Sequence, residues 1–512
     1  MIYPSLEEIR RLAAGGSYRR IPVCMELYAD RYTPVEVMRI LRRASRHCYL
    51  LESASQTEAW GRYSFLGCEP EMEITCTDGC MRIRRERHAD LFRTDGKDRS
   101  AEHDEETAGE QTFHVEHPGR KLREILAEYK SPVMENMPSF TGGLVGYFSY
   151  DYIKYSEPKL QLHDEKEQDF RDMDLMLFND VIAFDHYRQK LLLITGVMTD
   201  NMEESWKRAG ERLQLLSELI RRGDRLEFPP LRLKSPITHQ FSEERYCSMV
   251  EKARQYIREG DIFQVVLSNP MRAKAEGSLF DSYRVLRATN PSPYMFYFSS
   301  DDIELAGASP ETLVKLQDGK LSTFPLAGTR PRGKDAAEDR ALEEELLQDE
   351  KELAEHNMLV DLGRNDIGRI SRIGSVEVEK YLSVERYSCV MHLGSTVTGR
   401  IRDDFDAVDA VDAILPAGTL SGAPKFRACQ IIQELEQSKR GIYGGAVGYL
   451  DFAGNLDVCI AIRLVYKKND ELCIRSGAGI VADSVPEKEF SECLNKARAV
   501  VRAVEEAEGG LE

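Results

Sequence analysis

Residues 445–476 read GAVGYLDFAGNLDVCIAIRLVYKKNDELCIRS, and how this stretch is read decides the fold. Three apolar runs, 445–452, 456–466 and 471–476, are parted by turn-forming residues at 453–455 and at Asn469 and Asp470. Runs so closely spaced pair as antiparallel neighbours, because parallel strands need a crossover of about a dozen residues or more. A second hairpin, 313–316 with 321–324, turns at Asp318 and Gly319. Further strand-like runs lie at 48–53, 61–67, 262–267, 294–298 and 304–307. The Gly- and aromatic-rich segment 141–153 reads as a strand that another backbone approaches closely. Long helices accompany these hairpins. One covers Met202–Arg222 and stops at Gly223; another carries the stripe Tyr246, Met249, Val250, Ala253, Tyr256 and Ile257 up to Gly260. Hairpins beside long helices predict an α+β fold. Pro229 and Pro230 mark a boundary, dividing the chain into an N-terminal part, residues 1–235, and a C-terminal part, residues 236–512.

Composition narrows the function. A chain of 512 residues, 42% hydrophobic, buries a large core. Its net charge of −18 argues against nucleic acid or an anionic membrane surface as partner. No apolar run is long enough to span a bilayer, and the start MIYPSLEEIRRLAAGG lacks the layout of a secretory signal. Eleven cysteines are scattered, Cys76 and Cys80 coming nearest to a motif, which predicts a reduced, cytoplasmic protein without a cysteine metal site. Residues 82–111 are charge-rich without periodicity and predict a surface loop or disordered insertion.

Two acidic helix faces stand out. In 349–366, DEKELAEHNMLVDLGRND, Leu353, His356, Leu359 and Val360 keep helical spacing while Glu352 and Glu355 share another face. Near the C-terminus Ser484, Pro486 and Glu487 predict a capping-box helix start. On that helix Glu489, Glu492 and Lys496 fall together, apart from the apolar stripe Phe490, Leu494, Ala497 and Val501. One such face alone is ordinarily a solvated surface. Two of them, each backed by its own stripe, match a hard-cation site built between helices.

The glycines of GAGIVA at 477–482 imitate a dinucleotide fingerprint. The helix begins later, at Ser484 and Pro486, and the sequence to Glu512 leaves no room for a second parallel strand. Gly477 and Gly479 are read instead as exposed backbone N–H groups able to hold a carboxylate. There is no GxxxxGK[ST], HExxH or GxSxG. No cysteine sits between glycines as a glutaminase nucleophile does; Cys389 lies in YSCVMH and Cys429 in RACQII.

The remaining distinctive stretches are IFQVV at 262–266, NPSPYM at 290–295, GASPE at 307–311, PLAGTR at 325–330, DLGRND at 361–366 and PAGTLSGAPK at 416–425, with His392, Tyr443, Arg463 and Lys496. Together, in this order, they resemble the chorismate-utilising enzymes, most closely the branch that forms anthranilate. The likeness covers nearly the whole chain and is densest from 242 to 499.

The resemblance implies a sandwich of two twisted antiparallel sheets flanked by helices, and chorismate, a dicarboxylate, as substrate. It implies that Arg463 clamps the enolpyruvyl carboxylate beside Tyr443, Gly477 and Gly479, with Gly328, Thr329 and Lys496 also at the substrate. Mg²⁺ is implied as cofactor, held by Glu355 and Glu492 with Glu352 and Glu489 in or near its shell. Glu311 is implied as the acid for loss of the C4 hydroxyl, Thr419 and Lys425 as pocket wall, and His392 for the later loss of pyruvate. Two positions divide the family. Relatives that add water carry a lysine base where Gln264 stands, and relatives that stop at aminodeoxychorismate often carry a nucleophilic lysine where Ala327 stands. Both residues here favour ammonia and anthranilate. Ammonia is then expected from a separate glutamine amidotransferase subunit, making a hetero-oligomer. Finally, Glu52 and Ser53 of LLES, with Asn290, Pro291, Ser292, Tyr294 and Met295, resemble the family's tryptophan feedback site. No lysine follows Ser53 until Lys97, and Arg62 is a candidate substitute.

Overall fold

The computed structural model describes residues 2–53, 61–85, 109–160, 170–386 and 390–511. Among them the strands form two antiparallel sheets, of fourteen and twelve strands. The first runs from the edge strand Ile2–Tyr3 through Arg20–Tyr28, Lys190–Met198, Val181–Asp185, Tyr63–Cys68, Cys48–Glu52, Tyr294–Ser299, Ile303–Ser309, Leu464–Lys468 and Glu471–Ile480 to Gln264–Glu276. The second is centred on Leu456–Ile460, Ala446–Asp451, Gly143–Phe148 and Met173–Phe178.

Both sheets cross the expected 235/236 boundary. Glu52 pairs with Met295 in the first, and Gly146 with Gly448 in the second. Each of these glycines is closely approached by its other neighbouring strand: a Cβ on Gly146 would meet the Asp174 carbonyl oxygen at 2.0 Å, and one on Gly448 the Asp457 carbonyl at 2.1 Å.

Between the sheets lies an aromatic-rich core of Tyr49, Phe140, Tyr147, Phe178, Phe298 and Tyr449, all buried. Tyr49 meets Phe178 edge-on at 4.7 Å. Helices cover the outer faces. Pro34–Ala44, Met202–Arg222, Phe280–Thr289 and Pro486–Glu506 pack on the first sheet through Val37, Leu216, Leu286 and Val500. Gly119–Glu128, Glu350–Gly368 and Ala407–Ile414 pack on the second through Leu122, Val360 and Val411. The expected α+β sandwich is thus observed, as four layers.

Three local expectations fail. The run 456–466 is not one strand: Leu456–Ile460 belongs to the second sheet and Leu464–Lys468 to the first. The chain changes sheet at 461–463, where Arg463 takes φ 51°. The 82–111 stretch is not all loop, since Cys80–Arg85 and Glu110–His114 pair as strands, with Met81 and Ile83 buried by period-two alternation inside the charged run. Residues 86–108 lie outside those described. The capping box at Ser484 is also absent: Val485 is the N-cap, and the Ser484 hydroxyl accepts the Val481 amide at 3.0 Å. The Asp318–Gly319 turn forms as expected, with φ 51° and 75°.

Candidate active site

Arg463 occupies the sheet crossover in a left-handed conformation that costs a residue with a Cβ about 1–2 kcal/mol. The Ala308 amide donates to its carbonyl at 3.1 Å, fixing the crossover against the strand that leads to Glu311. Its guanidinium acts on both Glu311 and His392, favouring loss of a proton from each.

Glu311 sits between Ile303–Ser309 of the first sheet and Thr312–Gln317 of the second. Its backbone is pinned at both ends, the Ile460 amide donating to its carbonyl at 3.0 Å and its own amide donating to Ser309 Oγ at 3.4 Å. Thr419 Oγ1 donates to its Oε1 at 3.1 Å. Burial pushes the carboxyl up to about 7, against the opposing pull of Thr419, Arg463 and Lys496. A carboxyl so poised is half-protonated near neutrality and can serve as a general acid. Ser309 was not singled out in the sequence, although GASPE contains it.

His392 is positioned by a bulge. The Leu326–Pro331 and Val390–Arg400 strands shift register between Ala327 and Thr329, leaving Gly328 at φ 69°. The Gly328 carbonyl lies 3.1 Å from His392 Nδ1, orienting the ring. Burial lowers the imidazole's pKa and Arg463 adds to this, so the ring is held neutral. The same glycine faces the acidic helix: a Cβ there would come 3.2 Å from Glu352 Oε2.

Gln264, buried at the start of Gln264–Glu276, has an Oε1 shut off from solvent and without a hydrogen-bond partner among the described residues. Its Nε2 packs over Gly479, 2.7 Å from where a Cβ would stand. Gly477 admits Tyr443 in the same way, a Cβ meeting the Tyr443 hydroxyl at 2.9 Å. Gly477 and Gly479 therefore lie within the Glu471–Ile480 strand, opposite Ser268 and Val266, and not in a nucleotide loop. Gly477 is buried, not exposed as expected; the neighbouring Leu464–Lys468 strand stops pairing at Ile474, so that side of Gly477 carries no ladder.

The two acidic faces act on each other electrostatically. Glu355 is raised first by burial and then by Glu352, with Glu492 of the other helix adding to it and Lys496 opposing. Glu489 is raised by burial and by Glu492, against a hydrogen bond from Ser484. Lys496 Nζ lies 2.7 Å from Glu492 Oε1, and Arg330 Nη1 3.7 Å from Glu352 Oε1. These carboxylates come from Glu350–Gly368 and Pro486–Glu506. Mutual repulsion between part-buried carboxylates is what a divalent cation relieves, so the donor set fits a hard cation. A tighter His/Asp/Glu group among the described residues, His47, Glu73 and Asp301, lies elsewhere. Arg84 Nη2 fills it, 3.2 Å from His47 Nε2 and 2.7 Å from Asp301 Oδ2, making it an ion-pair network. Lys425 is not open to a ligand, being bound to Asp366 and to the Ile414 carbonyl. Only the backbone of Thr329 is described, in register with His392.

The LLES and NPSPYM segments are adjacent strands, with Met295 opposite Glu52. Glu52 is buried and receives Arg287 at 2.8 Å, Ser64 at 3.1 Å and the Tyr283 hydroxyl. Ser53 Oγ is buried and without a hydrogen-bond partner among the described residues. Asn290 caps the Phe280–Thr289 helix and accepts the Ser292 hydroxyl at 3.2 Å, while Pro291 is exposed. Arg62 does not reach toward Ser53 but chelates Asp185, with Nη2 at 2.8 Å.

Among the described residues no helix is long and apolar enough to cross a membrane. The model of the chorismate binding enzyme family matches residues 46–502. The chain is 43% identical to anthranilate synthase component 1 of Acetivibrio thermocellus over 515 residues, covering 99% of each protein. It is 42% identical to the protein of the same name from Aquifex aeolicus over 514 residues, again 99% of each. The crystal structure of anthranilate synthase component I from Streptococcus pneumoniae superposes with a TM-score of 0.71 at 37% identity, over 86% of this chain and 92% of that one. The menaquinone-specific isochorismate synthase of Escherichia coli shares the fold, with a TM-score of 0.67 at 18% identity over 98% of each chain. A family model matched over residues 46–502, with full-length likeness in sequence and a shared fold, makes this chain a member of the chorismate binding enzyme family.

Proposed function

We propose that this chain is the large subunit of an anthranilate synthase, converting chorismate and ammonia to anthranilate, pyruvate and water. The observation that carries the reading within the family is Gln264. A neutral amide cannot deprotonate water, whereas ammonia attacks in its neutral form and needs no such base. Ala327, nearly buried beside the bulge, offers no amine for covalent attack at C2. Full-length relatives at 42–43% identity bear the same name.

In this reading Arg463 and Tyr443 bind the enolpyruvyl carboxylate, with backbone N–H groups near Gly477 and Gly479. Glu311 donates its proton to the departing C4 hydroxyl as the nitrogen adds at C2, and the hydroxyl leaves as water. His392, neutral and oriented by Gly328, acts in the later elimination of pyruvate. Glu355 and Glu492 would hold Mg²⁺, with Glu352 and Glu489 nearby, and the ion would supply Lewis-acid stabilisation of substrate negative charge. Lys496, beside Glu492, adds positive charge at the same rim.

Ammonia comes from a glutamine amidotransferase partner. Glutamine hydrolysis needs an activated thiolate, yet burial pushes the Cys429 thiol up and the Cys459 thiol up to about 12. Tryptophan inhibits by binding near Ser53 and the 290–295 turn, where the Ser53 hydroxyl, without a partner among the described residues, offers a hydrogen bond.

The test is anthranilate fluorescence from the isolated chain with chorismate and Mg²⁺, given ammonium alone or glutamine alone. Ammonium is expected to support turnover at alkaline pH, and glutamine only after a glutaminase subunit is added. Turnover on glutamine alone overturns the partner claim, and isochorismate as product overturns the reading of Gln264.

A further inference from the structure

The helix that follows the PAGTLSGAPK loop, Lys425–Glu436, ends on a carboxylate with no solvent exposure. Glu436 accepts five hydrogen bonds: from Ser268 N at 2.8 Å and Ser268 Oγ at 2.9 Å, from Arg440 Nε at 3.0 Å and Nη2 at 2.5 Å, and from Arg475 Nη2 at 2.7 Å. Burial pushes its pKa up, but Arg440 and Arg475 outweigh this and keep it an anion. Both guanidinium groups are buried as deeply as their partner. Two cations around one anion leave one positive charge uncompensated within the group.

A buried ion network by itself says little beyond structure. The remaining donors say more. Arg440 Nη1 donates to the Leu420 carbonyl at 2.6 Å, next to Thr419, and Nη2 to the Val266 carbonyl at 2.7 Å, two residues from Gln264. Arg475 Nη1 donates to the Lys439 carbonyl at 2.7 Å and Nε to Ser268 Oγ at 2.8 Å, on the strand that continues to Gly477 and Gly479. The Arg440 guanidinium stands 5.8 Å from the centre of the Tyr443 ring. The loop of Thr419, the strand of Gln264, the strand of Gly477 and the turn of Tyr443 are therefore tied to one charged knot.

We propose that Arg440 and Arg475, joined through Glu436, are positioning residues of the substrate pocket, and that their surplus positive charge is balanced by a carboxylate of the bound substrate dianion. The proposal rests on Tyr443 and Gly477 lining the chorismate pocket. The guanidinium groups spend their hydrogen bonds on protein carbonyls, serine hydroxyls and the Glu436 carboxylate, so the charge acts as a field through Tyr443 and not by contact. Sequence reading missed all three residues.

The experiment is calorimetric titration of the folded full chain with chorismate in Mg²⁺, alongside steady-state kinetics and a thermal melt for each variant. Arg475→Gln removes the surplus charge and weakens chorismate binding about tenfold. Arg475→Lys keeps the charge and stays within about threefold of wild type, a rescue that a purely structural role does not give. Ser268→Ala keeps all three charges; it lowers kcat about fivefold with chorismate affinity unchanged. That last variant decides the positioning claim even where Arg475→Gln fails to fold. Equal affinities for the two Arg475 variants overturn the charge claim, and an unaltered kcat in Ser268→Ala overturns the positioning claim. Wild-type protein that binds no chorismate overturns the functional reading itself.

Discussion

The phenol of Tyr294 lies 2.8 Å from the hydroxyl of Thr312, the residue that follows Glu311. The same phenol donates to Asp457 Oδ1 at 2.8 Å, so a side chain of the first sheet grips two strands of the second. Tyr294 also belongs to the segment paired with Glu52, which puts the proposed tryptophan site one hydrogen bond from the residue next to the proposed acid. Tyr294→Phe leaves a part-buried carboxylate oxygen and a hydroxyl short of a partner, at a cost of about 1–3 kcal/mol. The expected outcome is a lower melting temperature, a reduced uninhibited kcat and weaker tryptophan inhibition. Wild-type inhibition in this variant would disconnect the two sites.

Glu311 gives a pH signature. Its folded pKa of about 7 means that the proton it donates is present below neutrality and is lost as pH rises through that value. Chorismate's carboxylates offset Arg463 and Lys496, two of the groups that pull it down, so the apparent pKa in the complex lies at or above about 7. With free ammonia held constant at each pH, kcat should fall on the alkaline side with loss of one proton. Glu311→Gln should abolish that limb and cut kcat about 10²–10⁴-fold, with chorismate affinity retained.

The paired helices predict opposite effects with and without metal. Glu355→Gln removes one member of a repelling set, so the melting temperature in chelator should hold or rise. The stabilisation that wild type gains from Mg²⁺, a linkage effect of binding to the native state, should disappear in the same variant. Glu492→Gln should behave likewise, and both should lose Mg²⁺-dependent turnover. A Mg²⁺-induced shift equal to wild type would exclude the carboxylate concerned.

Ser53→Phe replaces a buried hydroxyl, which has no hydrogen-bond partner among the described residues, with a bulky ring. Inhibition by tryptophan should weaken at least tenfold, by the rough measure that 1.4 kcal/mol of lost binding is a factor of ten, while the uninhibited rate stays near wild type. Dose–response curves for the two proteins settle it.

Much of this was legible because local chemistry forced it. The Asp318–Gly319 turn needs two residues at positive φ, and few pairs supply them. The acidic faces were visible because helical periodicity separates them from their apolar stripes. The sheet crossover at Arg463 was not, since a nearly continuous apolar run covers 456–466 without a Gly or Pro to mark the break. Glu436, Arg440 and Arg475 were hidden for another reason. Charged residues are read as surface, and only tertiary packing turns an ordinary i, i+4 pair into a sealed knot.

Sheets that cross the middle of the chain also set the order of events at the ribosome. Cys48–Glu52 obtains one neighbour only when residues 294–299 emerge, and Gly143–Phe148 one of its own only with residues 446–451. That second wait is about 300 residues, or about 15–60 s at typical elongation rates of about 5–20 residues per second. Through that interval the nascent N-terminal half carries open strand edges and an uncovered aromatic face. Chaperone dependence during synthesis, and failure of residues 1–235 to fold when expressed alone, follow from the topology before any chemistry is considered.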